Sequence, residues 1–248
     1  EANKTLAEKI EDYIKENIDY INSSIELIFI EKEPEKNSLY ETINKLGEVT
    51  NFELLKLPQL ISNIQKISMA YKVNIDENTA KYLVECCGSG MQELINELRK
   101  VIEYAGAGGT ITKESIDKLC IKQIQAIIFD LTDYLGARNV GKALEILKKL
   151  EYNKEPVQKI LITLYNHFKK LYFVTLAQKE KKDIATALKL KPNQMFLVGK
   201  YKNQASFFEA KELRKLLEEL ENLDANYKIG IIDLNLGLES ILCRYCSK

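Results

Sequence analysis

The chain has 248 residues with 36 basic and 36 acidic side chains, 46% hydrophobic and 29% charged. That balance excludes a disordered polymer and a membrane bundle, and the length suits one large domain or two to three small ones. The longest apolar runs, such as 27–30 and 126–129, fall far short of the ~20 residues a membrane helix needs, so no membrane contact is expected.

The start, Glu1-Ala2-Asn3-Lys4, is not a secretory pattern, and the five cysteines (Cys86, Cys87, Cys120, Cys243 and Cys246) are odd in number. Both features point to reduced thiols and a cytoplasmic location. Glu1 is not Met, so a fragment of a longer chain is expected. Lysine outnumbers arginine 32 to 4, which reads as coding bias. Charge divides the chain: residues 1–55 carry 6 basic and 13 acidic groups (net −7), 56–122 carry 9 and 8 (net +1), and 123–248 carry 21 and 15 (net +6). The shifts coincide with changes of pattern and suggest three units, 1–55, 56–122 and 123–248.

In the first unit, Leu6, Ile10, Tyr13, Ile14, Ile18 and Ile21 fall on one helical face. Residues 25–30 read as a strand, Pro34 as a turn, and Leu39, Ile43 and Leu46 as a short helix closed by Gly47. Residues 49–52 read as a second strand. Helix–strand–helix–strand order suggests the end of an α/β sheet whose remainder lies upstream.

The second unit is helical. Pro58 suits a first turn, followed by Leu60, Ile61, Ile64, Ile67 and Tyr71. Asp76 is a candidate N-cap for a helix with Ala80, Leu83, Val84 and Cys87, ended by Gly88. Met91, Leu94, Ile95, Leu98 and Ile102 mark the next helix, and Thr112 caps a short one with Ile116 and Leu119. The third unit is longer and also helical. Its faces run through Ile127, Ile128, Leu131 and Leu135, then Val140, Ala143, Leu144, Leu147 and Leu150. Pro156 opens a long helix through Phe168 and Leu171, short helices are expected at 184–188 and 192–200, and two more run through Leu213–Leu223 positions and 234–245, with Gly230 between and Asp233 as cap.

The chemistry-bearing candidates are few. No Gly-x4-Gly-Lys-Ser/Thr loop exists, and Gly106-Ala107-Gly108-Gly109 follows a helix, where a nucleotide loop should follow a strand. It reads as a helix-ending loop, and no cofactor is expected. Cys243-x2-Cys246 is a lone pair ending a helix, whereas a zinc site needs about four ligands. Cys86, Cys87 and Cys120 lack a partnering pair at the right spacing. His167 lies between Leu164 and Leu171 and reads as structural; acidic residues near 209–219 alternate with lysines as a solvated face. No catalytic or metal residue is assigned. Residues 169–202 hold nine lysines against Glu180 and Asp183, with Tyr172, Phe173, Phe196 and Tyr201 interleaved. A lysine-rich solvated face explains this; the alternative is a helix-turn-helix-like nucleic-acid-binding segment at 181–202, although it lacks arginine, the usual base reader.

Three stretches carry a family resemblance: Leu54-Leu55-Lys56-Leu57-Pro58-Gln59-Leu60; the run from Gly88-Ser89-Gly90-Met91 through Asn96-Glu97-Leu98-Arg99-Lys100; and Ile128-Phe129-Asp130-Leu131-Thr132-Asp133 followed by Ala143-Leu144 and Leu147. In order and spacing they resemble the delta subunits of the bacterial DNA polymerase III clamp loader, over essentially the whole chain. The resemblance implies a mainly α fold, with a small α/β remnant of an AAA+-type domain (1–55), a three-helix lid (56–122) and a helical collar (123–248). It implies no ATP site of its own and no catalytic residue. It implies partners in the motor subunits and delta prime, bound through the collar, with DNA reached only indirectly. The sliding clamp is expected as a partner only where the upstream part of the first domain is present. Phe129, Asp130, Leu131, Ala143, Leu144 and Leu147 are the implied collar scaffold. Gln92 stands where ATP-using relatives of this family commonly place an arginine, and a neutral amide cannot balance phosphate charge.

Overall fold

The computed structural model describes residues 5–32 and 34–246, the side chain of residue 246 excepted. By contacts it divides into two compact units, residues 1–53 and 54–248. Among the described residues the secondary structure is helical, and the single β pairing is a parallel bridge between Asn74 and Thr110.

The first unit holds α1 (Leu6–Glu16), α2 (Ile18–Ser24) and α3 (Ser38–Leu46). Thr5 and Glu8 form a reciprocal cap at α1, the Glu8 N–H donating to Thr5 Oγ1 at 3.3 Å and the Thr5 N–H to Glu8 Oε2 at 2.6 Å. The single helical face expected over residues 6–21 is broken at Asn17, whose φ of −119° leaves the helix. The two expected strands do not form. Residues 25–30 and 49–52 carry no ladder, and Ile30 is 89% and Phe52 90% exposed. β-branched composition favours extended backbone, but a strand exists only where a neighbour takes its N–H and C=O groups. No α/β sheet is therefore present among the described residues, and the remnant of an AAA+-type domain expected at 1–55 is not seen.

Instead a carboxylate joins α1 to α3. Glu11, 7% exposed, accepts from Lys15 Nζ at 2.5 Å, Ser38 Oγ at 2.5 Å and Thr42 Oγ1 at 3.0 Å. The Lys15 bond, with help from Ser38, holds its pKa down at about 2.

The second unit contains two hydrophobic cores. The first is built by α4 (Leu57–Ala70), α5 (Glu77–Cys87), α6 (Met91–Ala105) and α7 (Lys113–Leu119). Pro58 sits in the opening turn of α4, and Asp76 caps α5 by accepting from the Thr79 N–H at 3.0 Å. Leu60, Ile64, Leu83, Leu94, Leu98 and Ile116 are sealed inside. The glycine-rich loop ends α6 and turns into the Asn74–Thr110 bridge, as a helix-ending loop does.

The second core is built by α8 (Ile124–Gly136), α9 (Val140–Tyr152), α10 (Val157–Lys179), α11 (Ile184–Ala187), α12 (Leu197–Ala205), α13 (Ala210–Lys228) and α14 (Leu234–Cys246). The 23-residue α10 is its axis: the apolar run from Ile160 to Ala177 is buried against α8, α12, α13 and α14. The helix expected at 192–200 is two pieces, a 3-10 turn at Pro192–Gln194 and then α12. Asp233 caps α14 as expected, accepting from the N–H groups of Asn235 and Leu236 at 2.9 and 3.1 Å.

Candidate functional site

The two cores of the second unit meet at the end of α5 and the start of α8, and polar groups concentrate there. The chain enters α8 through residues 120–123. The Gln123 N–H donates to the Cys86 carbonyl at 2.9 Å, so the connection is pinned to the end of α5. Gly88 closes α5 at φ 88°, a left-handed conformation suited to glycine; an added Cβ would lie 2.3 Å from Gln123 Nε2.

Lys122 lies at the centre of this junction. Its Nζ is 2.8 Å from Asp117 of α7, 3.6 Å from Asp130 of α8 and 3.2 Å from the Tyr82 hydroxyl of α5. The Tyr82 hydroxyl in turn donates to Asp117 at 2.6 Å. Burial is the largest single influence and works against the Lys122 charge, but Asp117, Cys86, Tyr82 and Asp130 together outweigh it and the ammonium titrates above its ordinary range. Burial pushes the neighbouring Cys86 thiol up to about 11. Two further links cross the junction: Lys200 to Glu85 at 2.7 Å, and Asn193 Nδ2 donating to Ser89 Oγ at 2.7 Å. Beside them Lys56, Leu57, Pro58, Pro192, Asn193, Met195 and Phe196 line an open cleft of about 400 Å³.

Behind the junction the second core contains a polar node. His167 is 1% and Gln204 3% exposed. Gln204 Nε2 donates to the Phe129 carbonyl at 2.8 Å and to Asp133 Oδ1 at 2.6 Å, which turns its Oε1 toward His167 Nε2 at 2.8 Å. An acceptor oxygen there requires the Nε2–H tautomer, leaving Nδ1 to accept from Gln125 Nε2 at 3.2 Å. Burial drives the His167 pKa down to about 3. Phe129 stands edge-on to the imidazole at 4.6 Å, and Tyr201 lies 5.4 Å away. With both ring nitrogens engaged and no solvent access, this histidine locks α8, α10 and α12 together and is not placed to exchange protons with a substrate.

The implied scaffold residues divide by position. Phe129, Leu131, Ala143 and Leu147 are buried in the second core, Leu144 is half-buried at its edge, and Asp130 is exposed and paired with Lys122. Gln92 is exposed in the first turn of α6, its Nε2 donating to Asn96 Oδ1 at 3.2 Å. The lysine-rich segment is partly consumed by structure. Lys200 pairs with Glu85, and Lys170 lies 5.4 Å over the Tyr201 ring. The expected helix-turn-helix has a four-residue α11, and α12 buries Tyr201, Gln204 and Ala205. Lys181, Lys189, Lys191 and Lys202 remain exposed. Cys243 is half-buried in α14, and the side chain of Cys246 lies outside the described residues.

Sequence reasoning missed the junction. Lys122, Tyr82 and Asp117 carry no motif, and Gln204 lies just past the stretch read for its lysines. The usable signal was the pair of polar residues, His167 and Gln204, on otherwise apolar faces. Spacing also gave no sign of which cysteines meet in the fold. Cys87 and Cys120 come together with Glu97 as the one group of three metal-capable side chains among the described residues. The Cys87 thiol is hydrogen-bonded to Cys120, which draws the Cys120 pKa down and holds that of Cys87 up.

Residues 125–245 match a family model described as the DNA polymerase III delta subunit, C-terminal domain. Over 250 aligned residues the chain is 25% identical to the DNA polymerase III subunit delta of Bacillus subtilis, covering 95% of this chain and 71% of that protein. It is 25% identical over 166 residues to a probable DNA polymerase III subunit delta of Aquifex aeolicus, covering 65% of this chain and 47% of that one. The fold is similar to the solved structure of a Bacillus subtilis DNA clamp loader delta protein, with a TM-score of 0.66 and 21% identity, across all of this chain and 74% of that one.

Proposed function

Because residues 125–245 match the model of the DNA polymerase III delta subunit, C-terminal domain, and the chain is similar to a delta subunit over most of its length, we propose that it belongs to that family and serves DNA replication by assembling into a clamp loader, with no catalytic step of its own. In this reading residues 123–248 are the collar that packs against the motor subunits and delta prime, and residues 56–122 are the lid. Residues 1–55 belong to the first domain, and the sliding clamp is a partner only where the rest of that domain is present. The observation that carries the proposal is that the family match, 125–245, falls on the whole of one closed helical core. A body keyed internally by Gln204 and His167 is suited to act as a rigid docking element.

Phe129, Leu131, Ala143 and Leu147 then act as scaffold. Their buried side chains fix the helices whose outer faces meet neighbouring subunits, and Leu144 lies closest to such a face. The junction couples the two cores: Lys122, Asp117 and Asp130, with Lys200 and Glu85, transmit a displacement of one core to the other. Gln92 in place of an arginine agrees with a subunit that does not use ATP itself.

The test is size exclusion with light scattering on this chain mixed with its cognate motor subunit and delta prime. A stoichiometric complex is expected. Failure of folded components to associate would overturn the proposal. So would tight, steeply salt-dependent DNA binding by the chain alone without any complex, which is the behaviour of the helix-turn-helix alternative.

A further inference from the structure

Three helices of the first core bring together side chains that are far apart in sequence. Cys87 ends α5, Glu97 lies midway along α6, and Cys120 follows the last turn of α7. Their ligand-capable atoms all lie within 4.8 Å of one another. We propose that Cys87, Glu97 and Cys120 form a binding site for a thiophilic divalent metal ion of the Zn(II) class, with a fourth position open to water.

The geometry suits that ion. Tetrahedral zinc holds sulfur at about 2.3 Å and carboxylate oxygen at about 2.0–2.2 Å, so its ligand atoms stand about 3.5–3.8 Å apart. Three atoms within 4.8 Å reach this by small side-chain rotations. Two thiolates select zinc over magnesium or calcium, which prefer oxygen shells. The carboxylate is already aimed: Glu97 Oε2 accepts from the Ile121 N–H at 2.8 Å and from Lys100 Nζ at 2.6 Å. Such outer contacts orient metal ligands in built sites.

Charge also balances. Two thiolates and one carboxylate bring three negative charges, and the ion together with Lys100 brings three positive ones. On binding, each thiol passes its proton to solvent. Cys87 is buried, whereas Cys120 and Glu97 are half-buried, so the ion and its water enter from the Glu97 side. Thiol hydrogen bonding alone explains why Cys87 and Cys120 face each other. It does not require a carboxylate fixed against both. The adjacent Cys86 is engaged elsewhere, hydrogen-bonded to Tyr82. A bound ion would tie α5, α6 and α7 together one residue from the Cys86 carbonyl that pins the connection into α8. The site stands independently of the role in replication.

The experiment uses the full reduced chain, stripped by a chelator and titrated first with Co(II) and then with Zn(II). The expected result is one ion per chain, with thiolate-to-cobalt charge-transfer absorption that Zn(II) abolishes. Cys87→Ser and Cys120→Ser should lose the band, and Glu97→Gln should weaken binding by about tenfold or more. Cys86→Ser and a Cys243→Ser/Cys246→Ser double variant should bind as the parent does. Circular dichroism checks folding, and Glu97→Gln, which leaves the thiols in place, keeps the test decisive where a cysteine variant unfolds. Absence of the charge-transfer band from the folded parent would overturn the proposal. Loss of the band in the Cys243/Cys246 variant, with retention in Cys120→Ser, would overturn it equally.

Discussion

Residues 5–53 and the core built by α8–α14 each bury one polar node, and the two nodes are made in opposite ways. In the first region Glu11 is charged, and its partners are Lys15, Ser38 and Thr42 at the rim of a helix pair. In the same region apolar side chains such as Ile28, Ile30 and Phe52 stay exposed. In the second core His167 and Gln204 are neutral, fully hydrogen-bonded and enclosed by Phe129, Phe168 and Tyr201. The comparison teaches that a polar node supports a fold in proportion to the apolar shell around it. A charged node can hold two helices in register where little is buried; a neutral one can sit deep without a desolvated charge.

The largest effect should come from the shell itself. Phe168→Ala, at a fully buried site on α10, should cost about 3–5 kcal/mol in chemical denaturation. The exchange rates of α1–α3 amides should meanwhile stay close to those of the parent; if they collapse together, the contrast between the regions is wrong. Next comes the node. Gln204→Ala strands the buried His167 Nε2–H, and should cost about 1–3 kcal/mol, the range for a buried polar group left unpaired.

Acid should then separate the two regions by pH. His167 has a folded pKa near 3 and an ordinary value of 6.5. Above pH 6.5 it is neutral folded or unfolded and contributes no slope. Below 6.5 only the unfolded chain binds the proton, so stability falls by about 1.4 kcal/mol per pH unit toward pH 3. Glu151, raised chiefly by burial, opposes this slope. A His167→Gln control therefore isolates it, and its denaturation midpoint should flatten between pH 4.5 and 6.5. Glu11 behaves differently. With its pKa lowered from 4.5 to about 2, its support is complete above pH 4.5 and is lost as pH falls toward 2. On acidification the second core should loosen first, read by the onset of exchange in α10 before α1. The smallest effect belongs to the junction. Lys200→Ala removes a partly exposed ion pair with Glu85 and should cost about 1 kcal/mol or less.

The helices were legible because their apolar spacing and caps are local signals. Asp76, Thr112 and Asp233 each accept from a backbone N–H as their positions suggest. Residues 25–30 were misread because strand composition is a preference, and pairing is decided by a neighbour the sequence does not name. Residues 192–200 were merged because Pro192 opens a helical turn but does not fix its length. The junction and the thiol cluster were invisible for another reason. Lys122, Tyr82 and Asp117 meet, and Cys87 meets Cys120, through contacts between helices, which leave no fixed spacing in the chain. Glu11 was hidden by its charge, which places it on the solvent side of any helical wheel until Ser38 and Thr42 arrive.

His167 is the only histidine in the chain. Its ring protons therefore give one isolated pair of magnetic resonance signals in an isotopically labelled sample. They sit against the faces and edges of Phe129 and Tyr201 at 4.6 and 5.4 Å, where ring currents shift them strongly with small changes of angle. The chain thus carries a built-in spectroscopic reporter at the meeting point of α8, α10 and α12. Any rearrangement of those helices when a neighbour docks would register at that single imidazole, without a foreign label.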